Sequence, residues 1–137
     1  QLVPLCLMIT ELCDNRTVHF ISGATPTDDR ENIRGLVEKS DDCIVVASYG
    51  TFSLGVNVKR IHNIVFASPY KSQIKVLQSI GRGLRTADDK EILKLFDIAD
   101  NLVYNNRENY TLKHFRERIN IYNEQSFEYQ IIPVTLK

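Results

Sequence analysis

Three side chains in the segment QSIGRGLR, Gln78 to Arg85, have the types and spacing to handle phosphate. On a helix, Gln78, Arg82 and Arg85 fall at i, i+4 and i+7, so one amide and two guanidiniums share a face. A guanidinium is planar, permanently charged and able to hold phosphoryl oxygens in pairs, which suits a transferring phosphoryl group. Gly81 and Gly83 each cost about 1 kcal/mol in a helix interior relative to alanine, which points to close approach by another group. The competing reading is a solvated basic face near a helix end, where arginine complements the macrodipole. Spacing alone leaves the two readings open.

A second stretch, SYGTFSLGVN from Ser48 to Asn57, holds Gly50 and Gly55 five positions apart. That is the glycine spacing of a phosphate-binding P-loop, G-x-x-x-x-G-K-[ST], but Val56 and Asn57 stand where the lysine and hydroxyl residue belong. Ser48, Thr51 and Ser53 carry hydroxyls that suit either a nucleic-acid backbone or plain turn and cap chemistry. A third stretch, FISGATPTDDRENI, runs a strand into the Ser22-Gly23 turn and sets Arg30 on the following helix. Arg30 there either reaches a phosphate, braces its helix or pairs with Glu31 or an aspartate. Asp97 and Asp100 at a strand end suit metal ligands or a Walker B acid as well as a structural role. His19, His62 and His114 have no ligand spacing, so no metal site is expected.

These segments need a scaffold, and the hydrophobic pattern supplies one. Leu5, Met8, Ile9 and Leu12 recur at helical spacing, which predicts a helix over 4–13 that Pro4 can open. TVHFIS, Thr17 to Ser22, reads as a short strand. A helix follows, capped by Thr27 or Asp28 and running to about Lys39, with Ile33, Leu36 and Val37 buried. CIVVAS, Cys43 to Ser48, and IHNIVFAS, Ile61 to Ser68, are apolar runs of the kind buried on both sheet faces. SQIKVLQSIGRGLR reads as a helix with Ile74, Leu77 and Ile80 or Leu84 inward. EILKLFDIAD is a strand ending on acids. ENYTLKHFRERINIYNEQ is an amphipathic helix with Leu112, Phe115, Ile119 and Tyr122 on one side, and FEYQIIPVTL reads as a closing edge strand. Short apolar strands alternating with helices give an α/β domain with a mostly parallel central sheet flanked by helices. In such sheets the loops beyond the carboxyl ends of the strands carry function, and all three segments lie there or on the helices that follow.

The bulk numbers set outer limits. A chain of 137 residues, 43% hydrophobic and 25% charged, fits one soluble globular domain. Seventeen basic and seventeen acidic residues cancel, which argues mildly against an autonomous DNA-binding module and places any nucleic-acid contact in local groups. Cys6, Cys13 and Cys43 form no C-x-x-C pair and read as free thiols of a reducing compartment, so the cytoplasm is expected. The apolar start lacks a basic flank and is broken at Thr10 and Glu11, well short of a membrane span. The absence of an initial methionine reads as a fragment or a processed chain.

Taken together, the three segments resemble the ordered motifs of superfamily 2 helicases. QSIGRGLR is similar to motif VI, Q-x-x-G-R-x-x-R. ASYGTFSLGVNV, about thirty residues earlier, is similar to motif V. FISGATPTDDRENI resembles the segment between motifs IV and V. The tyrosine–glycine motif V, the VLQ-IGR-LR helix and the F-Y ending are most like members acting in phage recombination and fork remodelling. The resemblance covers nearly all of residues 1–137 as a second RecA-like (helicase C-terminal) domain, with its first strand and motif IV cut away.

The resemblance implies roles. Arg82 and Arg85 would be arginine fingers on the β- and γ-phosphates of ATP, and Gln78 would sense the γ-phosphate. Gly55 would allow close approach, and Asn57, where many family members carry aspartate, would lie near the ribose or couple to motif VI. Ser22, Gly23, Arg30, Ser48, Thr51 and Ser53 would hold the nucleic-acid backbone. ATP and Mg²⁺ would be held mainly by a first RecA-like domain absent from this chain, so the isolated chain is expected to be inactive. The expected partners are that domain and branched or single-stranded DNA, with RNA also open, in a monomer without membrane contact. The host cytoplasm is the expected location if the protein is phage-encoded. A non-catalytic, degenerate RecA-like binding module and a small doubly wound phospho-ligand binder are the alternatives.

Overall fold

The structure is a computed structural model that describes residues 2–13, 15–51, 61–68, 72, 77, 81, 93–105 and 107–135. Of the sequence-singled residues, Ser53, Gly55, Asn57, Gln78, Arg82, Gly83 and Arg85, together with Ile74, Ile80 and Leu84, lie outside the described residues. The elements run α1 (Leu2–Leu12), β1 (Thr17–Ile21), α2 (Thr27–Lys39), β2 (Cys43–Ala47), β3 (Asn63–Phe66), β4 (Lys94–Asp97) and α3 (Tyr110–Glu124). Leu77 and Gly81 are also helical. No helix among the described residues is long and apolar enough to cross a membrane.

Two compact units make up the chain: Gln1–Ile64 with Leu77–Leu95, and Val65–Val76 with Phe96–Lys137. In the first, β1 and β2 pair in parallel, with Thr17 opposite Cys43 and Ile21 opposite Ala47. A parallel pair needs a crossover, and α2 is that crossover. Ile21 and Val37 form its buried core, with Ile33, Cys43, Val45, Ala47 and Ile61 packed around them. Leu36, expected in the buried stripe, is instead 57% exposed, because the stripe that meets the sheet is carried by Ile33 and Val37. The expected caps, Thr27 and Asp28, are already helical. Pro26 holds the N-cap position with φ −56° and no side chain caps the helix, while Asp28 and Asp29 in the first turn complement the macrodipole.

β3 and β4 form a second two-stranded sheet, and the constant offset of its hydrogen bonds is that of a parallel pair. Lys94 N–H donates to the His62 carbonyl at 2.9 Å and Ile98 N–H to the Phe66 carbonyl at 3.1 Å, an unchanged offset along both strands. β3 is not buried on both faces as its apolar run suggests: Ile64 and Phe66 are buried, Asn63 and Val65 exposed. β2 is only half-buried apart from Val46. Cys6, Cys13 and Cys43 are free thiols.

In the second unit, α3 buries Arg118, Ile121 and Tyr122. The closing stretch 127–135 is not a strand: it forms no ladder, and Ile131, Ile132 and Val134 are 62%, 67% and 77% exposed. Its apolar residues satisfy strand propensity, but a strand also requires a neighbour's hydrogen-bonding edge, and the stretch has none among the described residues. The chain leaves α3 through Ser126, which sits in the left-handed region at φ 55°.

Candidate nucleic-acid interface

The carboxyl ends of β1 and β2 are adjacent because the strands are parallel and in register. The segments that follow them, 22–30 and 48–51, therefore meet. Among the described residues, Gly23, Arg30, Ser48, Gly50 and Thr51 line an open cleft of about 340 Å³ there. Four of these five carry a sequence expectation of nucleic-acid contact. Gly50 does not; its place in the Ser48–Asn57 loop was the only signal that could have marked it.

The first wall of the cleft is a turn closed on itself. Ser22 N–H donates to Thr25 Oγ1 at 3.0 Å, and Ala24 N–H to Ser22 Oγ at 3.3 Å. Thr25 N–H donates to the Ser22 carbonyl at 3.1 Å. Arg30 then reaches back from the first turn of α2. Its Nε donates to the Thr25 carbonyl at 2.8 Å and its Nη2 to the Gly23 carbonyl at 3.2 Å. Glu31, the alternative partner for Arg30, bonds instead with Arg34 at 3.0 Å. The arginine is thus held against two neutral carbonyls and keeps its charge beside the cleft.

The second wall is the start of the glycine-containing loop. Ser48 ends the strand, and residues 49–51 are helical. Ser48 Oγ and Thr51 Oγ1 share a hydrogen bond of 2.7 Å, and Thr51 N–H donates to Ser48 Oγ at 3.3 Å. This is the side-chain closure of an N-cap, in which a hydroxyl oxygen takes an otherwise orphaned amide three residues on. Thr51 is only 5% exposed, so its hydroxyl fixes Ser48 from beneath.

The strand-end acids take no part in this cleft. Asp97, at the end of β4, accepts from Arg118 Nε at 2.7 Å, from Arg118 Nη2 at 2.6 Å and from Tyr122 Oη at 2.8 Å. Arg118 is completely buried, and its guanidinium also lies 5.9 Å from the Phe115 ring centroid. The Asp100 carbonyl accepts from Thr111 Oγ1 at 2.8 Å and from Asn109 Nδ2 at 3.0 Å, while Asn109 also bonds Thr111. Asp97 is structural, and at Asp100 it is the backbone carbonyl that ties down the start of α3. Sequence reasoning missed the buried arginine, which sits in the basic run FRER. Its one signal was Tyr122 four residues on, on the same helix face.

The architecture has a solved counterpart. The C-terminal part of the Fun30 ATPase domain matches with a TM-score of 0.60 and 12% identity, over 90% of this chain and 44% of that one. That likeness establishes the fold class, a RecA-like α/β domain with parallel strands. At the level of sequence, the ATP-dependent DNA helicase uvsW of Enterobacteria phage T4 is 37% identical over 129 residues, which is 87% of this chain. The chain belongs to the superfamily 2 helicases, as a C-terminal domain. It spans about a quarter, 26%, of the length of that relative. No family model matches the chain.

Proposed function

We propose that the chain is the C-terminal motor domain of an ATP-dependent superfamily 2 DNA helicase or translocase, supplying half of an ATP site and one wall of a strand-binding path. The observation that carries the strand-binding half is the cleft that gathers Gly23, Arg30, Ser48, Gly50 and Thr51 at the carboxyl ends of two parallel strands. Its chemistry is hydroxyls, backbone and one retained positive charge, the set that positions a phosphodiester backbone without reading its bases.

Homology to a DNA helicase supports the nucleotide half. Arg82 and Arg85 act as arginine fingers that offset charge developing on the transferring phosphoryl group, and Gln78 senses the γ-phosphate. Gly55 and Asn57 lie at the nucleotide side of motif V, and Ser22 and Ser53 extend the strand contacts. The chain lacks a G-K-[ST] loop, so ATP is held by a first RecA-like domain. Mg²⁺, which neutralises charge on the phosphates during transfer, is placed by the same reading in that domain as well. Closure of the two domains on ATP brings the fingers into place, and reopening after hydrolysis moves the strand. A cytoplasmic monomer acting on branched or single-stranded DNA, in the host cytoplasm if phage-encoded, is the form we propose.

The test compares the isolated 137 residues with the full-length protein. Full-length protein is expected to bind and hydrolyse ATP, whereas the isolated chain binds single-stranded DNA weakly, with strong salt dependence, and holds no ATP. Tight ATP binding by the isolated chain would mean a self-contained nucleotide binder and overturn the proposal.

A further inference from the structure

We infer that the loop between β4 and α3 is a base-stacking surface for single-stranded DNA, where Tyr104 beside Arg107 and Tyr110 beside Lys113 each receive an unpaired base. The inference rests on the nucleic-acid reading of the chain but not on the cleft. None of the described residues lining that cleft is aromatic, so the bases of a strand find no stacking partner there.

The loop is built to hold these side chains in place. The Asp100 carbonyl accepts from Thr111 and Asn109, and Leu102 N–H donates to Asn109 Oδ1 at 3.3 Å, which fixes the loop to the start of α3. Beyond these ties the chain reverses. Tyr104 N–H donates to the Arg107 carbonyl at 3.2 Å, and Arg107 N–H to the Tyr104 carbonyl at 2.9 Å. Asn105 takes a left-handed φ of 47° in that turn, a conformation asparagine tolerates. Residues opposite each other in such a bridge carry their side chains on one side, so the Tyr104 ring and the Arg107 guanidinium emerge together. On α3, Tyr110 and Lys113 stand three apart and share a face. The Tyr110 ring also meets the His114 ring, with centroids 6.0 Å apart.

What the fold leaves unused there indicates the ligand. Tyr104 and Tyr110 are each 78% exposed. Other tyrosines of the same unit are put to internal use: Tyr122 is buried with its hydroxyl on Asp97, and the Tyr129 hydroxyl bonds to Asn123 at 3.0 Å. Arg107 and Lys113 are exposed as well, and among the described residues neither has a carboxylate partner. Glu108, which lies between them in sequence, is taken by Arg116 at 2.6 Å. Two exposed rings, each beside an unmatched cation, suit a nucleic-acid strand: the ring stacks on a base and the cation meets the neighbouring phosphate. Stacking of this kind accepts any base, as a motor moving over arbitrary sequence requires.

The experiment measures binding of the full-length protein to a fluorescent oligothymidylate and to an abasic oligomer of the same length, with thermal unfolding of each variant alongside. Tyr104→Ala and Tyr110→Ala should each bind oligothymidylate about tenfold more weakly, the loss of one stacked base, with parental unfolding and an unchanged salt slope. Tyr104→Phe and Tyr110→Phe, which keep the ring, should bind like the parent. On the abasic oligomer the alanine variants should match the parent. Parental affinity for oligothymidylate in the Tyr104→Ala/Tyr110→Ala double variant would overturn the inference, leaving the loop to a protein partner and the nucleic-acid reading intact. Equal losses on both oligomers would also overturn it. Failure of the parent to bind either strand would overturn the inference and the nucleic-acid reading together.

Discussion

Among the described residues, Arg118 and Arg30 differ in what their guanidiniums meet. Arg118, wholly buried, is matched by the Asp97 carboxylate through two bonds, with the Tyr122 hydroxyl on the same carboxylate. Its charge is matched, and it fastens α3 to the end of β4. Among the described residues, Arg30 meets the carbonyls of Gly23 and Thr25 and no carboxylate. Two of its five N–H groups hold a turn, and the guanidinium lines an open cleft. A carboxylate partner thus accounts for Arg118 within the fold, whereas Arg30, braced on carbonyls at a cleft, is the one we propose to face a ligand.

The contrast can be broken first at its stronger end. Arg118→Met leaves Asp97 buried without a counter-charge and is expected to cost about 3–5 kcal/mol. Adding Asp97→Leu should recover most of that loss, because an apolar pair of similar volume is often as stable as a buried ion pair. Denaturant midpoints of the two variants measure both effects; equal losses in the single and double variants would show that the charge match is unimportant. The cleft end gives a smaller effect with a different signature. Arg30→Ala should weaken single-strand binding and lower the log–log salt slope by about 0.7. Arg30→Lys, which keeps the charge but not the two-carbonyl grip, should weaken binding while keeping the slope. An unchanged slope in Arg30→Ala would make the residue a brace alone. The smallest effect is expected at the surface pair Arg116–Glu108, 2.6 Å apart, with Arg116 65% exposed. Arg116→Ala should change stability by less than about 1 kcal/mol.

The elements that repeat a period were the legible ones. β1, α2, β2 and α3 appear where alternation and helical spacing put them, and the parallel pairing of β1 with β2 follows from a helix between two short apolar strands. Legibility failed where tertiary partners decide. Leu36 sits at helical spacing yet faces solvent, because Ile33 and Val37 suffice to meet the β1–β2 pair. Val65 interrupts an apolar run that sequence treats as uniformly buried. FEYQIIPVTL has the composition of a strand and no edge to join. Arg118 was hidden among charged neighbours, since residue type alone cannot reveal that a carboxylate lies opposite. Gly23, Arg30, Ser48 and Thr51, which line the cleft, could be singled out because they fall just past strand ends or on the helix that follows one. Gly50 could not, since glycine in a loop ordinarily means a turn.

We propose that this chain supplies the arginines of an ATP site while the cleft beyond β1 and β2 holds the strand. ATP turnover and single-strand binding, measured together on full-length Arg82→Ala and Arg85→Ala, test it most directly. Loss of nearly all hydrolysis in each variant, about 10³-fold or more for a missing arginine finger, with strand binding still measurable, is the expected result. Parental turnover in both variants would contradict it.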